Sequence, residues 1–193
     1  MAGLSFVLAA GKPVLLRGPN GVGKSTLLRA LAGLVPCTGK VEIGNVALGD
    51  EDWAEQLAYA GHLDAIKPQL SVAENLGFWA GLYGGDAGAA LAVFELEPLA
   101  GRLAGDCSAG QKRRIGLARL ALAKRHLWLL DEPSTALDAA ATALLAKHIT
   151  AHCAAGGMAL IATHTDLPLD AETLTLAPPS AKTADPFLEG AFV

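Results

Sequence analysis

Cysteine is scarce: three residues in 193, Cys37, Cys107 and Cys153, widely spaced and with no CxxC pair. An odd, scattered set excludes a disulfide framework and fits a reducing cytosolic compartment. Positive charge is also short. Fifteen Lys and Arg against nineteen Asp and Glu leave a net charge of −4. That balance argues against a nucleic-acid binder, which would present a basic face, but not against nucleotides, which are gripped by local geometry. Long clean apolar runs are missing. "RIGLARLALAKRHLWLL" is broken by Arg119, Lys124 and Arg125, so nothing reaches the roughly 20 residues that span a bilayer. "MAGLSFVLAAGKP" has no basic residues ahead of its apolar part, against a secretory signal. Repeats and low-complexity linkers are absent as well. What is present is 52% hydrophobic residues and 18% charged ones, the balance of a chain that buries a substantial core, and at this length a single domain is expected.

The pattern along the chain alternates strands and helices. "PVLLRG" (13–18) is a short apolar run ending in glycine, and "KSTLLRALAGL" (24–34) follows with helical periodicity and a stop at Gly33. "GKVEIGNVAL" (39–48) alternates like a hairpin or edge strand, and "QLAYAGH" (56–62) reads as another strand. From 70 to 122 the pattern is helical, broken at Gly84-Gly85 and Glu97-Pro98. "HLWLLDEP" (126–133) and "MALIATH" (158–164) read as buried strands on either side of an alanine-rich helix over 140–157. The tail from Ala177 is polar and Pro-containing, expected at the surface or partly loose. Fully apolar strands alternating with helices imply an α/β fold, a mostly parallel sheet with a helical segment inserted over 70–122. The core is then 1–69 and 123–193.

Three stretches carry chemistry. "GPNGVGKST" fits G-x-x-x-x-G-K-[ST] between a strand and a helix, the P-loop context. Gly18, Gly21 and Gly23 let the backbone of Pro19, Asn20 and Val22 wrap a polyphosphate, with its N–H groups turned inward. The helix start adds positive potential. Lys24 reaches the β/γ oxygens, Ser25 offers its hydroxyl to Mg²⁺, and Thr26 completes the motif. In "LWLLDEPSTALD" (127–138), Asp131 ends a buried strand, where a carboxylate is costly unless paired. Mg²⁺ is its natural partner, and Glu132 is placed to act as general base on a water. In "IATH" (161–164), His164 stands at the C-terminal end of a strand, the ligand edge of an open α/β sheet. There it could meet a γ-phosphate, although a lone histidine in such a place is more often structural.

P-loop, helical insert with "CSAGQ", "LLDEPSTALD" and strand-end histidine, in that order, resemble the ATP-binding-cassette (ABC) ATPases over nearly the whole chain. The resemblance implies a P-loop NTPase with ATP and Mg²⁺ as cofactors. It also implies that Cys107, Ser108, Ala109, Gly110 and Gln111 form the signature, which acts in trans on the nucleotide of a second copy in a head-to-tail pair. Ser108 reads as a helix N-cap that frees the N–H groups of Ala109 and Gly110 for a γ-phosphate. Asp138 would lie in the loop crossing that dimer. Ala109, "AGHLDAIKPQLSVAENLGFW" and the short length are similar to the branch of the family that serves cytochrome c maturation. That branch implies membrane-spanning partner subunits, a peripheral place on the cytoplasmic face of the bacterial inner membrane, and haem export in which hydrolysis releases a haem-carrying chaperone. It implies no direct haem binding by this chain and no nucleic acid. Another ABC exporter or a soluble ABC ATPase is the alternative; a small-molecule kinase would have neither "CSAGQ" nor "DEPSTALD".

The chain departs from the family in two places. Gapless alignment of "LSVAENL" puts His62 where most ABC ATPases carry a glutamine contacting Mg²⁺ and water, and Gln69 stands too near the helical segment to take that place. Either His62 fills that role, since neutral imidazole accepts or ligates, or it merely caps a strand. Only Phe6, whose position looks like core packing, precedes the P-loop where the family has further β-segments and an adenine-stacking aromatic; either the true start lies upstream or adenine is held weakly, and then GTP is expected to compete with ATP. Two further groups stand outside these motifs. "HITAHC" sets His148 and His152 one helical turn apart beside Cys153, a metal or haem possibility with no third ligand in sight and, more simply, incidental histidines on a helix. Lys112, Arg113 and Arg114 are expected to solvate the signature helix or face the partner copy.

Overall fold

The structure, a computed structural model, describes residues 4–177. Its centre is a five-stranded sheet in the order β4-β5-β6-β1-β7: β1 Pro13–Arg17, β4 Leu57–Ala60, β5 Leu127–Asp131, β6 Met158–Ala162 and β7 Glu172–Thr175. Every pairing in it is parallel. Between the strands run α1 Lys24–Leu31, the hairpin β2 Glu42–Ile43 with β3 Val46–Ala47, α2 Trp53–Gln56, α3 Val72–Tyr83, α4 Ala87–Val93, α5 Ala109–Ala118 and α6 Ala139–Ala154.

The strands are apolar on both sides because the sheet is covered on both. Leu15, Trp128, Leu130 and Ile161 point to the face packed by α3–α6. Their neighbours Leu16, Leu127, Leu129 and Leu160 point to the face packed by Leu28 and Leu31 of α1 and by Trp53. Side chains alternating across each strand therefore feed two separate clusters. Each large aliphatic side chain buried this way stabilises the fold by roughly 1.5–3 kcal/mol. Phe6 packs against the α1-side cluster, as expected.

The helices α3–α5 leave and rejoin the sheet through one stitched junction. Ser71 caps α3 in a capping box with Glu74. The amides of Val72 and Ala73 donate to Arg102 and Ala100, and those of Ala104 and Gly105 donate back to Leu70 and Pro68. Gly84, at φ 74°, closes α3 in the left-handed conformation.

Two elements differ from the sequence reading. Gln56, read as the start of a strand, instead ends a one-turn helix over 53–56, where Trp53 drops its ring into the α1-side cluster and its indole donates to Leu31 O at 3.1 Å. "ETLT" forms an edge strand that the sequence does not announce; three of its four residues are exposed, so it lacks an apolar run. The tail reading falls, from residue 178 onward, outside the described residues.

Candidate functional site

The site lies at the C-terminal edge of β1, β5 and β6. After β1 the chain turns through Gly18, whose φ of 145° and close approach to Leu176 suit only glycine: a Cβ there would sit 2.6 Å from Leu176 O. Gly21 and Gly23 also have positive φ, 78° and 105°. Gly23 caps α1 without a side chain, leaving the first amides of the helix free. Lys24 is 8% exposed, and its ammonium folds back to donate to Gly18 O at 2.8 Å and Pro19 O at 3.2 Å. A buried cation and free helix amides around one loop make an anion cradle. Asn20 lies exposed at the loop's tip and Thr26 on the exposed side of α1, while Val22 tucks against the α1-side cluster.

β5 brings Asp131 beside α1. It is 1% exposed. Its Oδ1 accepts from Ser25 Oγ at 2.9 Å, whereas Oδ2 is buried without a hydrogen-bond partner, its nearest basic group being His62 Nε2 at 3.7 Å. A desolvated carboxylate oxygen left alone is costly, and a hard divalent cation with oxygen ligands relieves that cost. Ser25 and Asp131 therefore fit Mg²⁺. Burial, and then the Asp131 charge, push the neighbouring Tyr59 phenol above its ordinary value. His62 stands at this spot with its side chain 63% exposed, whereas Gln69 is exposed in the turn before α3.

Glu132 leaves the strand at φ 47°, in the left-handed region, with its amide donating to Ala162 O at 2.8 Å. A non-glycine residue there stores on the order of 1–3 kcal/mol of strain and persists only where its surroundings hold it. The turn aims the carboxylate at β6's end, where Oε1 lies 3.1 Å from His164 Nδ1. His164 thus stands beside the Glu132 carboxylate at the sheet edge where the sequence also suggested a γ-phosphate.

The signature stands apart. Ser108 Oγ accepts from the amide of Gln111, and Gln111 Oε1 accepts from the amide of Ser108, a complete capping box. Cys107 is buried below it, and Ala109 is exposed. Gly110 packs so closely that a Cβ would sit 2.7 Å from Ala136 O. Among the described residues no hydrogen bond joins Ser108–Gln111 to the P-loop. Asp138 caps α6 by accepting from Ala141 at 2.8 Å.

A model of the ABC transporter family matches residues 1–135. The cytochrome c biogenesis ATP-binding export protein CcmA of Ruegeria pomeroyi is 54% identical over 186 residues, covering 95% of this chain and 87% of that protein. The chain belongs to the ABC transporter family. Among solved structures, an ATP-binding subunit of an ABC transporter superposes with a TM-score of 0.73 at 28% identity, over 82% of this chain and 71% of that one. An ATP-binding cassette solved as a dimer in a post-hydrolysis state with ADP and Pi gives 0.70 at 26%, over 83% and 78%.

Set in the ABC frame, the remaining candidates sort themselves. No third His, Cys, Asp or Glu joins His148 and His152 in a group that could hold a metal, nor does any such group of three occur among the described residues. Their rings turn instead to Trp128, with His152 stacked at 3.9 Å and His148 at 5.0 Å. Burial, then the charge of His152, lowers the His148 imidazole to about 4. Cys153 is buried at 1% exposure, and burial raises its thiol. The three cations after Gln111 do not face solvent together. Lys112 donates to Gly105 O, Arg114 to Phe94 O, and Arg113 is 5% exposed with every donor bound inside the fold. Sequence reasoning missed Arg113 because a basic triplet reads as surface. The signal was periodicity, since Arg113 shares its helix stripe with Gly116 and Leu117, both buried. No described helix is long and apolar enough to cross a membrane.

Proposed function

We propose that this chain is the ATP-hydrolysing subunit of an ABC transporter complex for cytochrome c biogenesis, with haem export as its role and release of a haem-loaded chaperone as its output. One observation carries the chemistry: Lys24, Ser25, Asp131 and Glu132 meet at one sheet edge, with a buried carboxylate oxygen left for a divalent cation. The near-full-length likeness to proteins named for cytochrome c biogenesis supports the pathway. In this reading the P-loop amides and Lys24 neutralise the β/γ oxygens, while Ser25 and Asp131 would hold Mg²⁺, which would screen developing phosphate charge when bound. Glu132 takes the proton of the attacking water, and His164, its Nδ1 3.1 Å from Glu132 Oε1, stands beside that carboxylate. His62, its Nε2 3.7 Å from Asp131 Oδ2, would stand on the side of that cation. Ser108–Gln111 present a capped helix start to the nucleotide of a second copy, with Asp138 at the crossing between copies; the dimeric ATP-binding cassette among the structural relatives supports this arrangement. The helices over 70–122 act as the signature lobe. Membrane-spanning subunits hold the pair on the cytoplasmic face of the inner membrane.

Mixing two inactive variants tests the pairing. Lys24→Ala lacks a P-loop cation and Ser108→Arg lacks a usable signature, yet a mixed dimer contains one intact composite site, so the mixture should regain turnover. No recovery, together with a wild-type rate proportional to protein concentration, would refute action in trans. Cytochrome c biogenesis is tested in a bacterium lacking the corresponding gene: the wild-type chain should restore c-type cytochromes and Glu132→Gln should not. Restoration by Glu132→Gln would overturn the hydrolytic reading.

A further inference from the structure

Arg113 sits on the second turn of α5, 5% exposed, and its guanidinium makes all five of the hydrogen bonds that its N–H groups allow. Nε donates to Pro133 O at 3.1 Å. Nη2 donates to Asp131 O at 3.2 Å and Glu132 O at 2.9 Å. Nη1 donates to Gly61 O at 2.7 Å and to Asp64 Oδ1 at 2.8 Å. Four of the five acceptors are backbone carbonyls, in the two segments that carry the groups of the site: 131–133, holding Asp131 and Glu132, and 61–64, holding His62. Asp64 balances the charge.

We propose that Arg113 is a positioning residue for hydrolysis, a latch fixing the signature helix, the backbone of Glu132 and the His62 turn in one register. This rests on the ATPase reading above. Glu132 has a strained φ of 47°, and its peptide neighbours are held from both sides: its amide by Ala162 O, its carbonyl by Arg113 and the amide of Thr135. Rotating that residue back toward ordinary strand geometry would turn the carboxylate off His164. Helix α5 is also fitted to both segments without slack. A Cβ on Gly110 would meet Ala136 O at 2.7 Å, and one on Gly116 would meet Asp64 O at 2.8 Å. A shift of α5 therefore cannot leave both turns in place. Arg113 makes the position of the signature, which serves the other copy's nucleotide, felt at its own copy's base and at His62.

The test compares kcat and KM for MgATP in Arg113→Lys, which keeps the charge but cannot bridge three segments. Misplacing a reacting group by an ångström costs about 100-fold, so kcat should fall by that order while KM stays within about twofold. The same substitution in a Glu132→Gln background should cause a much smaller further loss of residual turnover, because the part of its effect that acts through Glu132 is already gone. A merely structural arginine would lower both backgrounds by the same factor. Should Arg113→Lys fold poorly, Gly116→Ala pushes the 61–64 turn off α5 with the arginine retained, and it should lower kcat severalfold at unchanged KM. Arg113→Lys turnover within about threefold of wild type, or equal losses in both backgrounds, overturns the proposal. A wild-type chain that hydrolyses no ATP defeats the ATPase reading instead.

Discussion

Two pairs of histidines occupy opposite situations. His62 and His164 stand at the sheet's C-terminal edge with side chains 63% and 58% exposed, each beside a buried carboxylate, Asp131 and Glu132. His148 and His152 lie on α6 against the indole of Trp128, with His148 Nε2 and Trp128 Nε1 both buried and unpartnered. The same side chain stands open to water beside a carboxylate in the first setting and packs against an indole in the second. Water access decides between them: an exposed imidazole beside a carboxylate can exchange protons and contact ligands, and a buried one is held neutral.

The largest way to sharpen the contrast is His164→Ala. Loss of the group that holds the Glu132 carboxylate should lower kcat about 100-fold or more, with little change in thermal midpoint, since the side chain is exposed. A normal kcat would place His164 among the bystanders. On α6 the contrast should reverse, with stability and not turnover responding. The folded His148 titrates near 4, below its ordinary 6.5. The unfolded chain therefore binds a proton first, and the stability His148 contributes is complete above about pH 6.5 and drains as the pH falls from there toward 4. Urea unfolding of the wild type at pH 7 and pH 5 should differ by more than that of His148→Leu, by on the order of 1–2 kcal/mol, with ATPase rates at pH 7 matching. Equal pH dependence in the two proteins would break the comparison. The smallest effect is expected at His62. His62→Ala should slow hydrolysis roughly tenfold, below the usual range for acid–base groups because contact with the metal-side water is indirect. His62→Gln should recover much of it, since the amide supplies a similar acceptor. Wild-type rates in both would remove His62 from the site.

Much of this was legible in the chain. The P-loop needs glycines at fixed spacing whatever surrounds it, and Gly18, Gly21 and Gly23 adopt the positive φ that the motif demands. Ser108 reads as an N-cap in the sequence, and the structure forms that cap and closes it into a box with Gln111. β5 and β6 announced themselves as unbroken apolar runs because they are covered on both faces. β7 did not, because an edge strand with three exposed residues carries no such pattern. Arg113 was misleading for a related reason. Charge and metal affinity belong to a residue type, but burial and partners belong to a place.

By itself the sequence determined the local pieces: which turns could only be glycine, which strands had to be buried, and which carboxylates would end at a strand tip. These depend on neighbours in the chain, through backbone sterics and side-chain period. Only the tertiary structure decided the pairings: Ser25 with Asp131, His164 with Glu132, Trp128 with His152, and Arg113 with carbonyls 18 to 52 residues away. Those depend on how α5 and α6 settle against the sheet. A guanidinium taken out of water must find its five acceptors wherever that packing puts them.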